Sequence, residues 1–83
     1  MSAYAYIQYS DVPEALTKSS SQHLDSATKH KVIAFDGCPL CGHLDVLADG
    51  RIQIEFPFPR SAELRTALVD WLMHWGIHFT VVM

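Results

Sequence analysis

The stretch HLDVLADGRIQIEFPF, residues 43–58, decides the fold. Apolar and polar residues alternate on both sides of a central Asp-Gly, which is typical of two strands joined by a hairpin. A two-residue turn would pair apolar residues with polar ones and mix the two faces. A three-residue loop, 48–50, with Gly50 in the left-handed region as a glycine bulge, pairs Val46 with Ile52. Because this register puts the apolar side chains on one face, we predict it.

Five segments on either side of the hairpin predict the rest of the fold. The aromatic-rich segment 3–9 and the apolar segments 32–35 and 77–82 are typical of strands. A short helix is predicted over 12–18 and a longer one over 62–75. Omitting the short 32–35 piece leaves the order β-α-β-β-α-β, which is the ferredoxin-like order. The predicted fold class is therefore α+β, a small two-layer sandwich with an antiparallel sheet and both helices on one face. A looser α+β arrangement is the alternative.

Residues that start and stop helices and strands support these bounds. Asp11 and Glu14 have the spacing of a capping box, Ser61 is the predicted cap of the long helix, and Gly76 follows its end. Pro57 and Pro59 are expected to end the second hairpin strand, because proline cannot donate to a ladder. Large apolar residues at helical spacing form one face of the long helix: Leu64, Leu68, Trp71, Leu72 and Trp75.

The size and composition of the chain indicate one folded unit. The 83 residues are predicted to form a single domain, 1–83. A hydrophobic content of 49% is enough for a core, and a charged fraction of 18% is too low for a disordered tail. The polar segment 17–31 contains Leu24 as its one large apolar residue and is either a marginal helix or a loop.

The charge of the chain and its targeting signals limit the class of partner and the cellular compartment that we predict. The net charge is −3, and the one tight basic group, 29–31, is too short for a phosphate-binding face. This argues against nucleic acid and favours a protein partner. No apolar run approaches the roughly 18 residues that span a bilayer, which excludes a transmembrane helix. The absence of a signal sequence and the close spacing of the two cysteines indicate a reducing compartment, the cytoplasm.

The motif CPLCGH, residues 38–43, resembles one knuckle of a zinc ribbon or rubredoxin-like site. A full ribbon needs a second Cys-x-x-Cys, which this chain lacks, but two histidines at H-x3-H spacing complete a formal Cys2His2 set. The predicted zinc ligands are Cys38, Cys41, His74 and His78, with His43 as a rival ligand and His23 and His30 as weaker candidates. Two other interpretations stay open. The cysteines are small residues in a turn, with no cofactor, or they form a redox dithiol.

Catalytic motifs are missing from the sequence. There is no G-x-S-x-G, no phosphate-binding loop and no G-x-G-x-x-G, and the carboxylates are scattered along the chain. A chain of this length is also small for a substrate pocket in addition to a core. We therefore predict that the protein is not an enzyme.

Four apolar and aromatic residues are candidates for contacting a partner. Val69 and Met73 lie opposite the apolar face of the long helix, where polar residues are expected. Either the segment 19–31 folds over them or they contact a partner or a second copy of the chain. Tyr4 and Tyr6 are aromatic candidates in the first strand, because tyrosine is enriched in interface hot spots.

These observations predict a small non-enzymatic protein-binding module, an inhibitor or adaptor that acts by covering a surface of its partner. A homodimer is an alternative assembly. Short acidic α+β chains of this kind resemble, in style, proteins encoded by phages and other mobile elements that inhibit host machines such as CRISPR effectors. The alternative function is a zinc-stabilised small domain that binds nucleic acid or protein through its Cys-x-x-Cys knuckle.

Overall fold

The structure is a computed structural model that describes residues 3–27 and 29–82. A single 3-10 turn, Tyr9–Asp11, separates the first strand from the first helix. The helices and strands follow in chain order: β1 Ala3–Gln8, α1 Glu14–Ser19, β2 Ser21–Leu24, β3 Lys31–Ala34, β4 Gly42–Val46, β5 Ile52–Phe58, α2 Ala62–His74 and β6 Phe79–Val82.

The strands form one six-stranded antiparallel sheet with the order β2-β3-β4-β5-β1-β6. The fold is therefore a small α+β arrangement with two α-helices, as predicted at that level. The ferredoxin-like order is not confirmed. The prediction set aside the 32–35 piece, but this segment is β3, which pairs with β2 on one side and β4 on the other.

Both helices pack against the same face of the sheet. Leu16 of α1 and Leu68 and Leu72 of α2 belong to one buried cluster with Ile54 and Phe56 of β5. The last four of these side chains are fully buried. Burial of large apolar side chains stabilises a fold by roughly 1.5–3 kcal/mol each, so this cluster between the two layers is the main source of stability.

The predicted hairpin register is confirmed. Val46 lies opposite Ile52, and the Leu47 N–H donates to the Arg51 carbonyl at 2.8 Å to close the three-residue loop. Gly50 has φ +87°, which is the left-handed conformation that the loop requires.

Strand β5 ends at Phe58, directly before Pro59, but Pro57 does not end it, contrary to the prediction. Pro57 lies within β5 opposite Tyr4 of β1. The pairing of β5 with β4 ends at Glu55, so Pro57 has no neighbour on that side. A missing N–H costs little where no partner strand needs it.

The first helix and the polar segment also differ from the predictions. Helix α1 begins at Glu14 and has Pro13 at its N-cap, whereas Asp11 lies in the 3-10 turn and caps nothing. The segment 17–31 is neither a helix nor a loop throughout, because it contains the end of α1 and the edge strand β2. Pairing with β3 supplies the order that the polar sequence of β2 lacks; Thr28 of this segment lies outside the described residues.

Helix α2 follows the prediction closely, with one correction to its apolar face. The Ser61 hydroxyl caps the helix by accepting from the Leu64 N–H at 3.5 Å, and Gly76 after its end has φ +66°. Leu64 and Trp75, at the two ends of the predicted face, are 41% and 39% exposed. The central turns alone are buried against the sheet.

Candidate functional site: the open face of the sheet

The face of the sheet that points away from the helices is a continuous surface, which we call the open face. Side chains alternate across a strand, so the neighbours of the buried residues Ile7, Ile54 and Phe56 point to it. Neither helix of the described residues packs on it, since both lie on the other side. The register assigns these residues to the open face: Tyr4, Tyr6, Gln8, Ser21, His23, Val32, Ala34, His43, Asp45, Gln53, Glu55, Pro57, Thr80 and Val82.

A row of directly opposed residues crosses all six strands of the open face: Thr80, Tyr6, Glu55, His43, Val32 and His23. Tyr6 and Glu55 interact within this row. Desolvation raises the pKa of Tyr6, and the negative charge of the Glu55 carboxylate opposite it raises this pKa further. The phenol therefore stays protonated at neutral pH.

Two recesses involve residues of the open face. One, of about 290 Å³, is lined by His30, His43, Asp45 and Glu55, and we call it the His-acid pocket. The rings of His30 and His43 meet edge-to-face in it, with centroids 6.0 Å apart.

The second recess, of about 370 Å³, lies on the β1–β6 side of the sheet. Among its lining residues are Tyr6, Gln8, Gln53, His78 and Thr80. The open face is therefore contoured rather than flat.

The open face carries carboxylates but no lysine or arginine at its strand positions. Lys31 lies on the opposite face, since it pairs with Leu44. Other cations are engaged elsewhere: Lys18 pairs with Glu14, Arg51 pairs with Asp49, and the Arg65 guanidinium lies 4.8 Å from the Phe58 ring centroid. With histidine neutral, Asp45 and Glu55 give the open face a negative charge.

The two cysteines lie in the connection between β3 and β4 as free thiols. The Cys38 N–H donates to the Phe35 carbonyl at 3.1 Å, and its side chain packs against the core, whereas Cys41 is exposed. Desolvation raises the pKa of the Cys38 thiol. A redox dithiol needs a lowered pKa, so this shift opposes that interpretation.

The structure does not bring the predicted zinc ligands together. Within residues 3–27 and 29–82, no three Cys, His, Asp or Glu side chains are arranged to hold a metal ion. His74 ends α2 and stacks edge-to-face on Trp75, and His78 is exposed just before β6. His43, the rival ligand, faces His30 in the His-acid pocket. His23, a weaker candidate, lies at the sheet edge opposite Val32.

The predicted partner-contacting residues fall on two separate surfaces. Tyr4 and Tyr6 lie together on the open face, with ring centroids 6.3 Å apart. Met73 lies on α2, on the other side of the sheet, and is 67% exposed, so the segment 19–31 does not cover it. Val69 on the same helix is only half-buried. A single flat partner surface cannot contact both pairs.

The sequence prediction overlooked the acidic members of the open face. Asp45 and Glu55 were not singled out, although the alternation in residues 43–58 places them on the polar side with His43. The register of the hairpin contained this signal. His30 was harder to place, because it precedes β3 and reaches His43 only through the pairing of β3 with β4.

No helix in the described part of the chain has the length and apolar character needed to cross a membrane. Comparisons with protein-family models, curated proteins and solved structures gave no match.

Proposed function

We propose that the protein is a small non-enzymatic binding module whose open face covers a basic surface of a protein partner. It acts as an inhibitor or adaptor by occluding that surface. The observation that carries the proposal is an uncovered six-stranded face with two tyrosines, two carboxylates and no lysine or arginine at its strand positions.

The composition of this face suits recognition of cations. Tyrosine supplies a large, rigid contact area at low entropic cost and attracts cationic groups to its ring face. Complementary charge raises the association rate and selects against partners of the same sign. Asp45 and Glu55 thus favour a partner surface rich in arginine and lysine over an acidic one.

The size of the face also suits a protein partner. Six strands at a spacing of about 4.8 Å make a surface about 24 Å wide. This accommodates an extended segment or a helix lying across the strands, and it is larger than a metabolite requires. The non-enzymatic part of the proposal rests on the missing catalytic motifs of the sequence.

Two finer proposals come with this function. Strands β4, β5, β1 and β6 are neighbours in that order, and we propose that with α1 and α2 they form a ferredoxin-like unit extended at one edge by β3 and β2. The length, charge and fold class of the chain also lead us to propose a phage-encoded or mobile-element inhibitor, of which anti-CRISPR proteins are one type.

Site-specific photo-crosslinking tests which face binds. Benzoylphenylalanine is placed at Tyr4 on the open face or at Met73 on α2, and each protein is irradiated in an extract of the source cells. We expect a specific protein adduct from position 4 and none from position 73. The cross-linked segment of the partner should be rich in lysine and arginine.

Purified components then test the same face quantitatively. The combined change Tyr6→Ala and Glu55→Gln should weaken binding of the identified partner at least tenfold, whereas Met73→Asp should leave it unchanged. Adducts from position 73 alone, with binding lost in Met73→Asp, would place the interface on α2 and contradict the proposal. An acidic partner segment would contradict the charge argument.

A further inference from the structure

The His-acid pocket holds two carboxylates for which the described residues supply no ion-pair partner. The ion pairs among these residues are Lys18–Glu14 and Arg51–Asp49, so neither Asp45 nor Glu55 has a described basic group within 4.0 Å. Tyr6 lies opposite Glu55, but its phenol is neutral and leaves the charge in place. A cation from outside the chain would therefore find two uncompensated carboxylates at one recess.

The spacing of the two carboxylates suits one cation that donates hydrogen bonds to both of them. His43 lies opposite Glu55 and Asp45 lies opposite Gln53. Asp45 and Glu55 are thus diagonal neighbours, about 7–8 Å apart at the backbone. A planar guanidinium presents five N–H donors and can donate to two carboxylates at once, which a compact ammonium does less well.

The His43 imidazole adds a flat ring face that suits the same group. His43 is half-buried between Val32 and Glu55, and the His30 ring meets it edge-to-face at 6.0 Å. Guanidinium planes stack on aromatic rings, whereas a hydrated ammonium gains less from them. A divalent metal fits less well, because no three of these groups are arranged to hold one.

We infer that the His-acid pocket binds an arginine side chain of the partner protein, with Asp45 and Glu55 accepting from the guanidinium and His43 stacking against it. This inference rests on the proposed function and names the anchor of that interface. The recess of about 290 Å³ is large enough for a guanidinium and part of its aliphatic stem.

Peptide titrations followed by two-dimensional NMR test this site directly. The probe is the acetylated and amidated peptide Gly-Arg-Gly-Arg-Gly, and its control replaces each arginine with neutral, nearly isosteric citrulline. We expect the arginine peptide to shift the amide signals of residues 43–45 and 53–55 at least tenfold more strongly than the citrulline peptide. A lysine version should bind more weakly than the arginine version.

A matched pair of double variants separates the pocket from general charge attraction. Asp45→Asn with Glu55→Gln removes both pocket carboxylates, whereas Asp70→Asn with Glu63→Gln removes the same charge from exposed positions on α2. The first should weaken arginine-peptide binding at least tenfold, and the second should change it less than twofold. Unshifted backbone spectra of the unliganded variants verify folding.

The outcomes distinguish a failure of the arginine pocket from a failure of the proposed function. Equal shifts with citrulline, or equal losses in the two double variants, would overturn the arginine pocket. If the position 4 cross-link is still obtained in that case, the open face binds its partner by other contacts. If the arginine peptide occupies the pocket but cross-links arise only from position 73, the pocket stands and the proposed interface is wrong.

Discussion

The two faces of the one sheet differ in what they contribute to the molecule. On β5, Ile54 and Phe56 are fully buried beneath the helices, while Gln53 and Glu55, which alternate with them, point to the open face. The helix-facing side supplies the apolar burial that stabilises the fold. The open face contributes little burial, so its tyrosines and carboxylates are available for recognition. Substitutions at adjacent positions of one strand should therefore have opposite consequences.

The largest effect should come from Phe56→Ala compared with Glu55→Ala. Removing the fully buried ring leaves a cavity beneath Leu68 and Leu72 and costs about 3–5 kcal/mol. A domain of this size has about 4–12 kcal/mol of stability in total, so much of the chain would unfold. Urea denaturation followed by circular dichroism measures both variants. Glu55→Ala should keep a near-native midpoint, and equal losses would refute the assignment of the two faces.

Gly42→Ala should cause the next largest loss of stability, because β4 approaches β5 closely on the buried face. A Cβ atom at Gly42 would lie 2.5 Å from the Ile54 Cγ2 and 3.1 Å from the Phe56 ring. Forcing these side chains apart costs about 1–3 kcal/mol. The neighbouring change Cys41→Ala, at an exposed position, is the control in the same urea titration. A Gly42→Ala midpoint as high as that of the control would show that the two strands can separate without loss.

The smallest expected difference is in the alkylation rates of the two thiols between β3 and β4. Cys38 belongs to the core side and Cys41 to solvent. Because desolvation raises the pKa of Cys38, less of it is thiolate at neutral pH, and iodoacetamide should modify it more slowly than Cys41 at pH 7.5. The Cys38 rate should keep rising above about pH 8.5, the ordinary cysteine pKa.

Single-thiol variants, Cys38→Ser and Cys41→Ser, assign the rates by mass spectrometry. One equivalent of Zn²⁺ should protect neither thiol, because the predicted ligands are not gathered. Zinc protection of both thiols that is lost in a His74→Ala variant would instead restore the four-ligand hypothesis. Faster labelling of Cys38 than of Cys41 would restore the redox interpretation.

Features that depend on neighbouring residues could be predicted from the sequence, whereas features that depend on distant pairing could not. The hairpin register, the left-handed Gly50 and the Ser61 cap were all predictable, because each depends on residues close together in the chain. The strand β2 was not, because its polar residues become a strand only by pairing with β3. For the site, alternation already put His43 on the polar face, but nothing local indicated that His30 would reach it.

By itself the sequence determined the α+β class, the alternation that divides each hairpin strand into an apolar and a polar side, and the start and end of the long helix. Those features follow from steric and hydrogen-bonding preferences that act over a few residues. Only the tertiary structure decided the six-strand order, the packing of both described helices on the same sheet face, and the meeting of His30, His43, Asp45 and Glu55. These depend on pairing between strands far apart in the chain, which is set by the burial of the common core rather than by any local pattern.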